Sequence, residues 1–95
     1  MTAPRITIES LKILREILNA EGELSGTDIR QRTGLLGGTV YRTLRRLDSV
    51  GVIWSRWESG DPSELGRPLR RYYALTPDGH TRASAELSAF WGSAQ

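Results

Sequence analysis

The chain is 95 residues long with 38% apolar residues, enough for one domain with a modest core and too little for two. It has no cysteine and a single histidine, His80, which argues against a disulfide framework, a thiolate metal site or a histidine cluster. The formal net charge is only +2, yet residues 30–72 hold nine basic side chains against four acidic ones, and twelve of the thirteen cations are arginine.

The arginine fork suits phosphate oxygens and guanine edges better than a lysine point charge does. The central segment therefore fits a nucleic-acid partner, with a plain solvated face as the alternative. No apolar run reaches the length of a membrane span, and MTAPRITIES lacks the basic and apolar regions of a signal peptide, so a cytoplasmic location without membrane contact is expected.

Met1 to Ile6 reads as an extended lead-in, with Pro4 disfavouring helix before it. Thr7 suits an N-cap, and Ile8, Leu11, Leu14, Ile17 and Leu18 recur at helical spacing, which predicts a first helix over about residues 8–20. Ile13 widens this stripe, either toward the core or toward a partner subunit. Gly22 marks a stop, and Glu23-Leu24 can form a short extended segment. Ser25 with Asp28 three residues on resembles a capping box, with Asp in place of the commoner Glu, and opens a second helix to about Thr33 with Ile29 facing the core. Gly34 ends it, and Leu35 to Gly37 make a tight connection, so a helix-turn-helix is predicted.

The next stretch, GGTVYRTLRRLDSV over residues 37–50, is the centre of the pattern. Val40, Leu44 and Leu47 fall at i, i+4 and i+7 and face inward. At 100° per residue, Gly38, Arg42, Arg45 and Arg46 fall on the roughly opposite side, with Thr39 and Tyr41 on the flanks. Gly38 removes bulk where a helix N-terminus approaches a phosphate. Thr39 can bond phosphate or a base edge, and Tyr41 can reach phosphate through its hydroxyl or simply pack its ring. Arg42 and Arg46 are the candidates for base or groove contact, and Arg45 for phosphate.

VIWSRWE, residues 52–58, and LRRYYAL, residues 69–75, read as two strands around the loop SGDPSELGRP. Such a hairpin after a helix-turn-helix is a wing. Tyr73 and Leu75 share its inward face, with Arg70 and Tyr72 on the other. Arg67, Arg70 and Arg71 are candidate phosphate or minor-groove contacts, although Glu58, Asp61 and Glu64 offer local carboxylates to pair with instead. Thr76-Pro77-Asp78 starts a last helix to about Trp91, with an apolar stripe of Ala83, Leu87 and Phe90 and Trp91 beside it. Leu87, Phe90 and Trp91 are candidates for a homodimer contact or for packing on the chain's own core, and Trp91 for lining a small-molecule effector pocket at the dimer seam. His80 and Asp78 do not share a helical face, and no nucleophile with its base or phosphate-cradling loop is visible, so neither an enzyme nor a cofactor is expected.

The predicted fold class is mostly α with a small β-hairpin: a winged helix-turn-helix plus a short C-terminal dimerisation helix. Residues 1–95 form one domain, with a DNA-binding core over about 7–75 and the terminal helix over 76–91. Three runs together, SGTDI (25–29), GGTVYRTLRRLDSVGVI (37–53) and GRPLRRYYALTPDGH (66–80), resemble the PadR family of bacterial transcriptional regulators. The resemblance implies a homodimer on a pseudo-palindromic double-stranded DNA operator, usually acting as a repressor. It assigns DNA contact to Gly38, Thr39, Tyr41 and Arg42 and to a basic wing at Arg67, Arg70 and Arg71, while Pro68-Leu69 interrupts the basic run. The single short terminal helix resembles the compact subgroup of that family. The competing expectation is a winged-helix module that docks on an acidic protein surface.

Overall fold

The computed structural model describes residues 6–20 and 22–91, with Trp91 described by its backbone alone; the expected lead-in over Met1 to Arg5 lies outside the described residues. Helix α1 (Ile8–Asn19) starts at Thr7, whose Oγ1 accepts from the Ser10 backbone N–H at 3.1 Å. Leu11, Ile13, Leu14 and Ile17 are all buried, so the wide stripe of α1 serves the chain's own core. Its end is made by Ala20, which donates to the Ile17 carbonyl, and Gly22 is not among the positive-φ glycines that usually stop a helix. Strand β1 (Leu24–Ser25) leads into helix α2 (Gly26–Thr33) through the expected capping box: Asp28 N–H donates to Ser25 Oγ, and Ser25 N–H to Asp28 Oδ2, both at 3.1 Å. Gly34, at φ 72°, closes α2 in the left-handed conformation. Helix α3 (Gly37–Ser49) follows after three residues.

Strand β2 (Ile53–Trp57) and strand β3 (Arg71–Leu75) pair antiparallel from Ile53↔Leu75 to Trp57↔Arg71. Strand β1 adds to the other edge of β3 with Leu24↔Tyr73, so the expected two-stranded wing belongs to a three-stranded sheet of order β1-β3-β2. The loop expected over residues 59–68 contains one further element, helix α4 (Pro62–Leu65). Asp61 caps it by accepting from Ser63 N–H, Pro62 supplies a preset φ at its first position, and Gly66 ends it at φ 71°. A short helix survives here because cap, proline and glycine lie within six residues.

Helix α5 (Pro77–Trp91) packs on α1. Thr76 caps it through Oγ1, which accepts from Gly79 N–H at 2.9 Å and donates to the Gly51 carbonyl at 2.6 Å. Gly79 is buried against the start of β2, and a Cβ there would stand 1.7 Å from the Val52 carbonyl oxygen. One core joins the layers, with Ile13, Leu14, Ile29, Val40, Leu44, Ile53 and Ala83 buried within it and Tyr73 the most exposed of its buried members. No described helix is long and apolar enough to cross a membrane.

Candidate nucleic-acid interface

Val40 and Leu44 are fully buried, and Leu47 nearly so, which fixes the rotation of α3 about its axis. Gly38, Arg42 and Arg45 are consequently exposed along its outer face, and Thr39 is partly buried. No side chain caps the N-terminus of α3, so the first-turn N–H groups keep no side-chain partner of that kind.

Tyr41 combines both expected roles. Its ring packs over Gly26 so closely that a Cβ at residue 26 would meet Tyr41 Cε1 at 2.6 Å, yet the side chain remains 44% exposed. The hydroxyl therefore lies beside the first turn of α2 with Thr27 next to it. Arg46 takes a different place from the one its helical angle suggests. Its Nη2 donates to Ser10 Oγ at 2.7 Å and to Thr7 Oγ1 at 3.4 Å, which commits the guanidinium to the buried Ser10 hydroxyl at the start of α1. Arg46 thus ties α3 to α1 on the flank that carries Thr39 and Thr43.

In the wing, local carboxylates take two of the three candidate arginines. Arg67 donates from both terminal nitrogens to Glu58, at 2.7 and 2.9 Å, and Glu58 also accepts from the Arg70 backbone N–H at 3.3 Å. The bidentate arginine holds the Glu58 carboxyl down at about 2, well below the usual carboxylate range. Arg71 donates to Ser55 Oγ at 2.8 Å, lies 3.7 Å from Asp48, and covers the Trp57 ring at 5.3 Å. The Arg70 side chain is exposed and forms no ion pair among the described residues. On the outer face of the sheet Arg56 pairs with Glu23 at 2.8 Å and stacks over Tyr72.

The described residues thus bring Tyr41, Arg45, Arg67, Arg70 and Arg71 around one cleft between α3 and the wing, with Gly38, Thr39 and Arg42 farther along α3 and outside the lining. Sequence reasoning missed Thr27 and Trp57, which also line the cleft. The period-two alternation Ile53, Ser55, Trp57 was the available signal, since it places Trp57 on the side of the sheet that meets α3. At the other end of the molecule Leu87 is half-buried and Phe90 is 47% exposed, beside an apolar groove formed with Ile8 and Leu11 of α1.

Solved structures share this fold. S. aureus MepR in complex with DNA is 25% identical with a TM-score of 0.73, over 95% of this chain and 68% of that one. A PadR family transcription regulator from hypervirulent Clostridium difficile R20291 is 26% identical with a TM-score of 0.66, over 84% and 85%. NadR in complex with 4-hydroxyphenylacetate shares the fold at 20% identity and a TM-score of 0.70, and the chain, 92% covered, spans 59% of its length. No functionally curated protein matches the chain in sequence. Residues 13–85 match the profile of the transcriptional regulator PadR-like family, a family of regulators and not of enzymes, and the chain belongs to it.

Proposed function

We propose that the chain is a homodimeric, sequence-specific repressor that occupies a pseudo-palindromic operator. The observation that carries this reading is the outer face of α3, where Arg42 and Arg45 are exposed and form no ion pair among the described residues. Fixed donors of this kind on a helix fit the major groove, with Arg42 reading a base edge and Arg45 and the Tyr41 hydroxyl holding phosphates. Arg70 extends the contact from the wing, whereas Arg67 and Arg71 shape the hairpin through Glu58 and Asp48. Arg46 contributes by holding the pitch of α3 against α1. MepR, similar in fold and bound to DNA, supports the same use of this surface.

Dimerisation would bring two α3 helices into successive major grooves about 34 Å apart. The exposed Phe90 and Ile8, with half-buried Leu87, are apolar surface suited to a second copy, and Trp91 extends the same helix. Fluorescence anisotropy with the DNA flanking the chain's own gene, repeated across salt concentrations, tests the reading. Each phosphate contact removed should lower the log–log salt slope by about 0.9. No binding to that DNA, or binding indifferent to Arg42→Ala, would count against a repressor acting there.

A further inference from the structure

We infer that the free edge of β2 is a second self-association surface, on which β2 of another copy pairs antiparallel about Ser55. The strand lies at the end of the sheet order β1-β3-β2, so among the described residues no strand covers its far side. Thr76 N–H donates to the Val52 carbonyl and Glu58 N–H to the Arg70 carbonyl, which fixes the alternation of the ladder between them. Trp54 and Arg56 bond β3, and the N–H and C=O groups of Ile53, Ser55 and Trp57 point toward the free edge. The opposite edge of the sheet is only Leu24–Ser25, too short to template a partner. On β2 the five residues IWSRW stand in unbroken register, with no proline, lysine or bulge to blunt them.

Two tryptophans flank this edge. Alternation puts Trp54 on the outer face of the sheet and Trp57 on the α3 side, yet they are 46% and 59% exposed. What they share is the open edge, so the fitting neighbour is one that reaches both faces at once, a strand. The sequence of β2 is complementary to itself in that place. An antiparallel copy centred on Ser55 sets Ile53 opposite Trp57 of the other copy and Ser55 opposite Ser55, and each such pair exchanges its edge-pointing backbone groups. Between these pairs Trp54 falls opposite Arg56 of the other copy, an indole against a guanidinium. Glu23, 2.8 Å from Arg56, offsets the charge that would otherwise set two arginines against each other across the axis. Centred on Trp54 or Arg56 instead, the strand loses an edge-pointing pair and both tryptophan–arginine contacts. The edge is separate from Ile8 and Phe90, so it stands independently of the dimer proposed above; that it joins two such dimers into a tetramer rests on that reading.

The chain has no cysteine, so Ser55→Cys introduces a single thiol at the two-fold axis, where the Cα–Cα spacing of a directly opposed pair, about 5.5 Å, suits a disulfide. Under mild oxidation Ser55→Cys should cross-link into a covalent pair, and Ser63→Cys, exposed on α4 and off the edge, should not. Equal cross-linking of the two, or none at residue 55, overturns the pairing. Sedimentation of the full chain up to about 1 mM should show association beyond the dimer, weakened at least about ten-fold by Trp54→Lys while the circular dichroism spectrum is retained. An assembly that neither grows with concentration nor responds to Trp54→Lys overturns the surface. If Trp54→Lys does not fold, the cross-link at residue 55 still decides. Phe90→Asp should reduce the tetramer to an edge-paired dimer. If Phe90→Asp changes nothing while Trp54→Lys abolishes the dimer, the α5 contact fails and the edge stands.

Discussion

Gly79→Ala is a small change with a large expected effect, because residue 79 is where α5 touches the backbone at the start of β2. An added Cβ would lie 1.7 Å from the Val52 carbonyl oxygen and 2.7 Å from its carbon, and neither atom can turn away as a side chain does. Ordinary C···O contact requires the first turn of α5 to retreat by about 1.5 Å. That movement breaks the junction formed by Thr76 N–H to the Val52 carbonyl at 3.1 Å, Thr76 Oγ1 to the Gly51 carbonyl at 2.6 Å and Gly79 N–H to Thr76 Oγ1 at 2.9 Å. At about 1 kcal/mol for each bond, the loss is roughly 3 kcal/mol. The helix-propensity gain of alanine returns about 1 kcal/mol of it at most. Lost packing of α5 on α1 and the core adds to the net cost of about 2 kcal/mol or more. For a domain of this size that is a fall in Tm of about 8–16 °C, read by thermal or urea denaturation. A variant within about 0.5 kcal/mol of the parent would refute the steric argument.

Arg42→Ala should cost about 1–3 kcal/mol in operator binding and relax selectivity at one base position, measured by anisotropy against a set of singly substituted sites. Arg46→Ala should instead act on stability, by about 1 kcal/mol in urea, because the buried Ser10 hydroxyl loses its 2.7 Å donor and keeps only Thr7 Oγ1 at 3.0 Å; a lost phosphate contact with no stability change would assign Arg46 to DNA. Glu58 has a folded pKa near 2 against an ordinary 4.5, so its ion pair stabilises fully above about pH 4.5 and fades as pH falls toward 2. Glu58→Gln should remove that portion of the acid dependence in stability measurements across this window. Phe90→Asp should weaken dimerisation, and with it operator affinity; an unchanged dimer in sedimentation would show that Phe90, 47% exposed, lies outside the interface.

Local chemistry made most of the fold legible in advance. The capping box at Ser25 and Asp28, the left-handed Gly34, the cap at Thr76 and the stripe Val40, Leu44, Leu47 each depend on residues within one or two turns, and each forms as the spacing predicts. What the sequence concealed depends on distant partners. A helical wheel gives Arg46 an outward angle but carries no information about a buried hydroxyl 36 residues earlier. Gly26 reads as an ordinary first helical residue until the Tyr41 ring is laid across it, and Gly79 as a weak helix former until Val52 stands behind it. The wing arginines were ambiguous for the same reason: Glu58, Asp61 and Glu64 were the carboxylates in view, but the choice of Arg67 by Glu58, and the approach of Arg71 to Asp48 on α3, are set by strand register and turn geometry.

That choice bears directly on how this surface meets an anion. An arginine bound bidentately to a carboxylate must break that pair before it can neutralise a phosphate, so Arg67 adds little to net attraction while it shapes the hairpin. The three arginines at residues 42, 45 and 70 have no such exchange to make among the described residues. They stand on two elements, α3 and the wing, joined through β2 and the Asp48–Ser55 bond of 2.8 Å. Recognition is therefore expected to respond to anything that alters the spacing between α3 and the wing. A mutation at Ser55, which touches Asp48 and Arg71 but none of Arg42, Arg45 and Arg70, belongs in the same functional unit as Arg42 and Arg70.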